Sequence, residues 1–172
     1  PHRALRVGVF VNAPIKEISA TAGMFSLDYI QLHGTETPQE CMTIRDMGFR
    51  VIKAFSVTSG TDFERTAKYN GLCDMFLFDT GSGCRGGSGV QFDWNLLDRY
   101  DGETPFLLSG GIDVESASRL ACLNHSRLAG YDINSRFETA PAVKNVSAIS
   151  EFLDLTGSQS QTAYMLPVNV IN

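Results

Sequence analysis

An aspartate that closes a run of large apolar residues is the first position where residue type and placement suggest chemistry. Met75-Phe76-Leu77-Phe78 has strand character, and Asp79 follows it directly. A carboxyl group at such an end is partly desolvated, so its neutral form is favoured and its pKa should rise. That suits a general acid working near neutral pH. The plainer alternative is a loop cap. His33 closes another short apolar run, Tyr29–Leu32; on its own it reads more readily as a structural histidine than a catalytic one, and its flanking Gln31 and Glu36 do not change that.

Two further loops suit an anion. Ser109-Gly110-Gly111 follows Pro105–Leu108 and leads towards a helix whose expected first turn holds Asp113 and Glu115. Paired glycines let the backbone approach a ligand closely, and amide N–H groups at a helix start favour negative charge. The last apolar run then delivers Asp132-Ile133-Asn134-Ser135-Arg136, again with small polar groups. A phosphate site made by the final two βα loops recurs in barrel enzymes, although a tight βα turn would look similar. Gly81-x-Gly83-x-x-Gly86 matches a dinucleotide fingerprint only superficially. The run continues through Gly87-Ser88-Gly89, and the next helix is expected only near Asp93, so a loop able to close over a ligand is the better reading. Cys41, Cys73, Cys84 and Cys122 form no C-x-x-C pair and have no histidine at zinc-ligand spacing. They are expected to be reduced thiols, and no metal or cofactor is implied.

What positions these groups is a repeat of strand and helix. Short runs rich in Val, Ile, Leu and Phe span Arg6–Asn12, Tyr29–His33, Val51–Ser56, Met75–Thr80, Pro105–Ser109 and Gly130–Asn134. Each is apolar on both faces, as in a parallel sheet covered on both sides. Between them lie helical stripes: Ile15, Ile18 and Ala22; Cys41, Ile44 and Met47; Leu96, Leu97 and Tyr100; Ala117 and Leu120; Ile149, Phe152 and Leu153. Thr37-Pro38 followed by Gln39-Glu40 predicts a helix start, and Gly48 a stop. Regular alternation predicts an α/β fold with right-handed crossovers, either an open sheet or a closed barrel. Polar residues at six strand ends on one edge mark that edge as the site. Beyond Leu155 the pattern fails: Thr156–Thr162 is polar and linker-like, and Ala163–Asn172 is a short apolar tail given no role.

Composition narrows the partner. With 43% hydrophobic residues, 19% charged and a net charge of −5, the 172 residues can bury one core and offer no basic patch for nucleic acid. No apolar run is long enough to span a membrane. A small-molecule ligand and a cytoplasmic location are expected; the oligomeric state is left open.

The strand ends carry a resemblance. VGVFVN (Val7–Asn12), IQLHGTE (Ile30–Glu36), VIKAFSV (Val51–Val57), FLFDT (Phe76–Thr80), GGSGVQFDW (Gly86–Trp94), PFLLSGGI (Pro105–Ile112) and YDINSRFETAPAVKN (Tyr131–Asn145) stand in the order found in phosphoribosylanthranilate isomerase, a family the chain resembles along nearly all of Arg6–Phe152. The resemblance implies a TIM (β/α)8-barrel fold and a cofactor-free, metal-free Amadori rearrangement of tryptophan biosynthesis. N-(5-phosphoribosyl)anthranilate becomes 1-(2-carboxyphenylamino)-1-deoxyribulose 5-phosphate. By position, Asp79 would be the general acid that opens the ribose ring. His33 and Asp132 would line the substrate pocket, and the amides of Gly110, Gly111, Ser135 and Arg136 would hold the phosphate.

This sequence departs from the family pattern in several places. The family base, a cysteine in K-[IV]-C-G, has no counterpart among these residues, and VGVFVN corresponds to the family's third strand. The resemblance thus implies six of eight βα units over residues 1–155, two open sheet edges, and weak or no turnover from these residues alone. Arg136 stands where the family has glycine, and Pro141-Ala142-Val143-Lys144-Asn145 replaces P-G-x-K-D. Rival readings are a non-catalytic module that binds a phosphorylated ligand, and another phosphate-binding barrel such as indole-3-glycerol-phosphate synthase. The latter needs catalytic Lys and Glu at several strand ends, whereas Lys53 stands alone in mid-strand.

Overall fold

The computed structural model describes residues 4–80, 94–157 and 163–165. Six parallel strands follow one another across the sheet in chain order: β1 (Val7–Phe10), β2 (Tyr29–Leu32), β3 (Arg50–Ser56), β4 (Met75–Asp79), β5 (Phe106–Ser109) and β6 (Leu128–Asp132). Each coincides with an apolar run read from the sequence, its ends shifted by at most two residues. Adjacent parallel strands need a crossover between them, and helices supply most of these. They are α1 (Ile15–Phe25), α2 (Pro38–Asp46), α3 (Ala117–Ala121) and α4 (Val146–Thr156).

Local signals explain the helix ends. The Thr37 hydroxyl accepts from the Glu40 N–H, and the Glu40 carboxylate accepts from the Thr37 N–H at 2.7 Å, closing a capping box with Pro38 at the first position. Gly48, just past α2, has a φ of 91°, which a side chain would resist. Met47 does not belong to the apolar stripe expected of it. It is the C-cap and 45% exposed, while Cys41 and Ile44 carry the buried face.

Gly60–Tyr69, between β3 and β4, forms a 3₁₀ segment that the helical spacing does not predict. Its buried residues are Phe63 and Thr66, three apart, so a period of three rather than 3.6 puts them on one face. A second 3₁₀ segment, Trp94–Arg99, follows β4.

The strands are apolar on both faces because each face has its own core. On the helix side, Phe55, Phe76, Phe78 and Phe106 pack with Phe63 and Tyr100, many of them edge to face. The other face holds Val7, Ile52, Ala54, Leu77 and Leu107, drawn from strands alone and buried. Among the described residues no helix packs on that cluster, the arrangement of a barrel interior filled by side chains of its own strands.

A small antiparallel hairpin, β7 (Glu138–Ala140) and β8 (Val143–Lys144), lies between β6 and α4. The tail is not without a structural place. Ala163–Met165 forms β9, a seventh strand of the main sheet that pairs in parallel with β6 through Gly130↔Ala163, Tyr131↔Tyr164 and Asp132↔Met165. At the other end of the sheet β1 has no further strand beside it among the described residues, and Val11, Met24 and Phe25 nearby are exposed.

Candidate active site

Register brings three strand ends together, and side-chain contacts add two more. Ser56 pairs with Asp79, and Asp79 with Ser109, across β3, β4 and β5. The Ser109 hydroxyl donates to the Asp132 carboxylate at 3.0 Å. From β2, His33 Nε2 stands 3.7 Å from Asp79 Oδ2, with both side chains partly open to solvent. The predicted acid, His33 and Asp132 therefore share one mouth. Burial pushes the Asp132 carboxyl above its ordinary range; the Ser109 hydrogen bond and His33 oppose the rise, and Asp79 adds to it.

A buried network holds the loop that carries His33. The Lys53 ammonium donates to the carbonyls of Leu32 at 3.1 Å, Gly34 at 2.9 Å and Ala54 at 2.9 Å, and lies 3.3 Å from the Glu36 carboxylate. Glu36 also accepts from the N–H groups of Asn12 at 2.7 Å and Gly34 at 2.9 Å. Asn12, in a left-handed conformation at φ 53°, accepts from the Thr35 N–H and hydroxyl. A Cβ at Gly34 would strike the Asn12 and Glu36 side chains, so only glycine fits this crossing. Lys53 is thus not alone, and Glu36 is not a bystander: the pair builds the QLHG-x-E turn. Gln31 is also engaged, its amide 3.1 Å from His33 Nδ1.

The glycine loop works differently from expectation. Gly110 and Gly111 both take positive φ, 106° and 64°. They do not open straight into a helix: Asp113 and Ser116 first close a turn by reciprocal bonds, and the five-residue α3 starts only at Ala117. The double glycine is therefore followed by a turn rather than by a helix start. Among the described residues, Gly110, Gly111, Ser135 and Arg136 donate no backbone hydrogen bond outside helices and strands. A cavity of about 140 Å³ is lined by those four residues with Ser109, Ile112, Asp132 and Asn134. Lys144 of the hairpin donates to Asn134 Oδ1 at 2.5 Å and pairs with Glu138 at 2.7 Å, tying the hairpin to this loop.

A second cavity, about 540 Å³, is lined by His33 and Asp79 together with Lys53, Arg65, Lys68 and Tyr69. A third, about 510 Å³ beside Gly60 and Arg99, shares no lining residue with either. Residues 81–93, with the predicted closing loop and Cys84, lie outside the described residues. Cys41, Cys73 and Cys122 are free thiols, the first two buried. No described helix is long and apolar enough to cross a membrane.

Consecutive parallel βα units, an interior filled from the strands, and polar groups at the C-terminal strand ends define an α/β protein of the TIM-barrel class. The family model for N-(5′-phosphoribosyl)anthranilate (PRA) isomerase matches residues 1–155, and the chain belongs to that family. It is 48% identical over 148 residues to the N-(5′-phosphoribosyl)anthranilate isomerase of Parabacteroides distasonis, covering 86% of this chain and 67% of that one. For the isomerase of Phocaeicola vulgatus the identity is 47%, with 90% and 75% covered. The crystal structure of phosphoribosyl anthranilate isomerase from Thermotoga maritima superposes with a TM-score of 0.77 at 32% identity, covering 92% of this chain and 76% of that one. One of the isomerase in complex with reduced 1-(o-carboxyphenylamino)-1-deoxyribulose 5-phosphate gives 0.74 at 29% identity, covering 92% and 74%.

Proposed function

We propose that this chain binds N-(5-phosphoribosyl)anthranilate and carries the acid and phosphate-anchoring parts of its Amadori rearrangement in tryptophan biosynthesis. The observation that carries this reading is the adjacency of two cavities at one sheet edge. One holds Asp79 and His33, the other is lined by the double glycine with Ser109, Asp132, Ser135 and Arg136, and Asp79 of the first is the register partner of Ser109 of the second. A phosphate seated on the amides of Gly110, Gly111, Ser135 and Arg136 anchors the sugar. Asp79, in its acid form, gives a proton to the ribose ring oxygen, and the C1–O bond breaks to leave a Schiff base. Loss of the C2 proton to a base yields an enolamine, which relaxes to the ketone.

The 172 residues contain no K-[IV]-C-G segment to supply that base. Absence of a positioned base lowers the rate by about 10²–10⁴. Residues 1–155 then form the six-unit barrel portion and 156–172 a tail that adds β9 to its sheet; a cytoplasmic location goes with the reading, and no nucleic-acid or membrane partner is required.

The test pairs turnover with binding. Loss of substrate fluorescence is followed for the chain and for Asp79→Asn, and titration with the reduced product analogue reports ligand binding. The variant is expected to lose the turnover above the uncatalysed rate while binding the analogue within a few-fold. Equal turnover in both proteins, or an analogue that shifts no resonance of Gly110, Gly111, Ser135 or Arg136, would refute the assignment.

A further inference from the structure

We infer that Gln31 is a positioning residue that holds His33 as the neutral tautomer protonated at Nε2, with that N–H directed towards Asp79. The inference rests on the reading of Asp79 and His33 as site residues, but its first test does not.

Gln31 is a polar side chain in an apolar place. It is 3% exposed, and its register partners on either side are Val9 of β1 and Ile52 of β3. An amide buried there without a partner carries a desolvation cost that an apolar side chain would avoid. Two residues on along β2, His33 points to the same face, and the Gln31 Nε2 group lies 3.1 Å from its Nδ1. An amide NH₂ only donates, so Nδ1 must accept, and the ring proton resides on Nε2. That nitrogen is the one 3.7 Å from Asp79 Oδ2. An Asp79 oxygen can face that N–H whether the carboxyl is ionised or in its acid form, since the acid keeps a carbonyl oxygen as acceptor.

The consequence is a histidine that offers a donor to the site rather than a lone pair. Without Gln31 the ring could turn or shift its proton, and Nε2 would then present a lone pair to Asp79 in place of a donor. The Lys53–Glu36 pair fixes the loop backbone after His33; Gln31 fixes the ring.

Long-range ¹H–¹⁵N spectra of the free chain read the tautomer directly. The expected signature is a neutral His33 ring with the proton on Nε2. A wild-type ring protonated at Nδ1 overturns the inference, whatever the ligand does. Gln31→Met removes the donor at similar volume and should leave a tautomer mixture, while Gln31→Glu, an acceptor only, should move the proton to Nδ1 or charge the ring. An unchanged His33 signature in a folded Gln31→Met also overturns it. The affinity for the reduced product analogue should fall about 2–10-fold in Gln31→Met, the fold-change that matches loss of one net hydrogen bond. If wild-type shows the expected tautomer but binds no analogue, the proposed function fails and the tautomer assignment stands.

Discussion

Replacing Lys53 by methionine tests the network under the active loop most directly. Methionine keeps the unbranched stem but removes the ammonium that bonds three carbonyls and faces Glu36 at 3.3 Å, with both side chains 3% exposed. Breaking a buried ion pair from one side costs about 3–5 kcal/mol, because the remaining charge is stranded. Glu36 retains the N–H groups of Asn12 and Gly34, which still solvate its carboxylate, so the lower end applies, about 3 kcal/mol. With a urea dependence of about 2 kcal/mol/M, the midpoint should fall by about 1.5 M. Trp94, the one tryptophan in the sequence, is buried and can report the transition by fluorescence. The double variant Glu36→Gln/Lys53→Met should recover part of the loss, since a neutral amide in that place strands no charge. A midpoint within error of wild type, or single-variant effects that simply add, would show that the two groups do not depend on each other.

Ala142 sits in the β7–β8 turn at φ 62°, so Ala142→Gly should relieve backbone strain and raise stability by about 0.5–1 kcal/mol, read as a higher melting temperature. At Gly111, φ 64°, a Cβ would meet no atom within 4 Å, so Gly111→Ala should cost only the backbone strain, about 1 kcal/mol by denaturant titration. Burial raises the Asp132 carboxyl above 3.8, so the folded state holds that proton more tightly than the unfolded chain. The stability this contributes is complete below 3.8 and is lost as pH rises through the raised value, so Asp132→Asn should gain on the parent from pH ~4 upwards in a melting series. In a Cys84→Ser background, exposed Cys122 should react promptly with a thiol reagent, whereas buried Cys41 and Cys73 should react only on unfolding.

The strands were legible because most of their residues are buried on both faces, which leaves a largely apolar run with a polar residue at its end. Helix α2 was legible from Thr37, Pro38 and Gly48, residues whose effects are local. Gly60–Tyr69 was not, because Phe63 and Thr66 repeat with a period of three that a search for 3.6 passes over. The strand Ala163–Met165 follows a polar run and has little pattern of its own; the edge of β6 supplies its hydrogen bonds. Lys53 did leave a signal. A lysine between Ile52 and Ala54, in a strand buried on both faces, must carry its charge to a partner. Glu36, set back from it at the end of the preceding loop, is the acid that meets it. The strand ends themselves placed His33, Asp79 and Asp132, but only the register shows that Ser109 joins the last two.

Asp132 links the two halves of the site. It lines the cavity of the glycine loop, and its carboxyl also senses His33 and Asp79 across the mouth. A second carboxylate beside a phosphate would repel the ligand if fully charged. Burial and the charge of Asp79 both favour its neutral form, and a bound phosphate would favour it further. Ligand anion and Asp132 proton should therefore arrive together, which couples affinity at one cavity to protonation at its boundary with the other. Such coupling needs no moving part; on the proposed phosphate seat it follows from a desolvated acid that lines the cavity and senses Asp79.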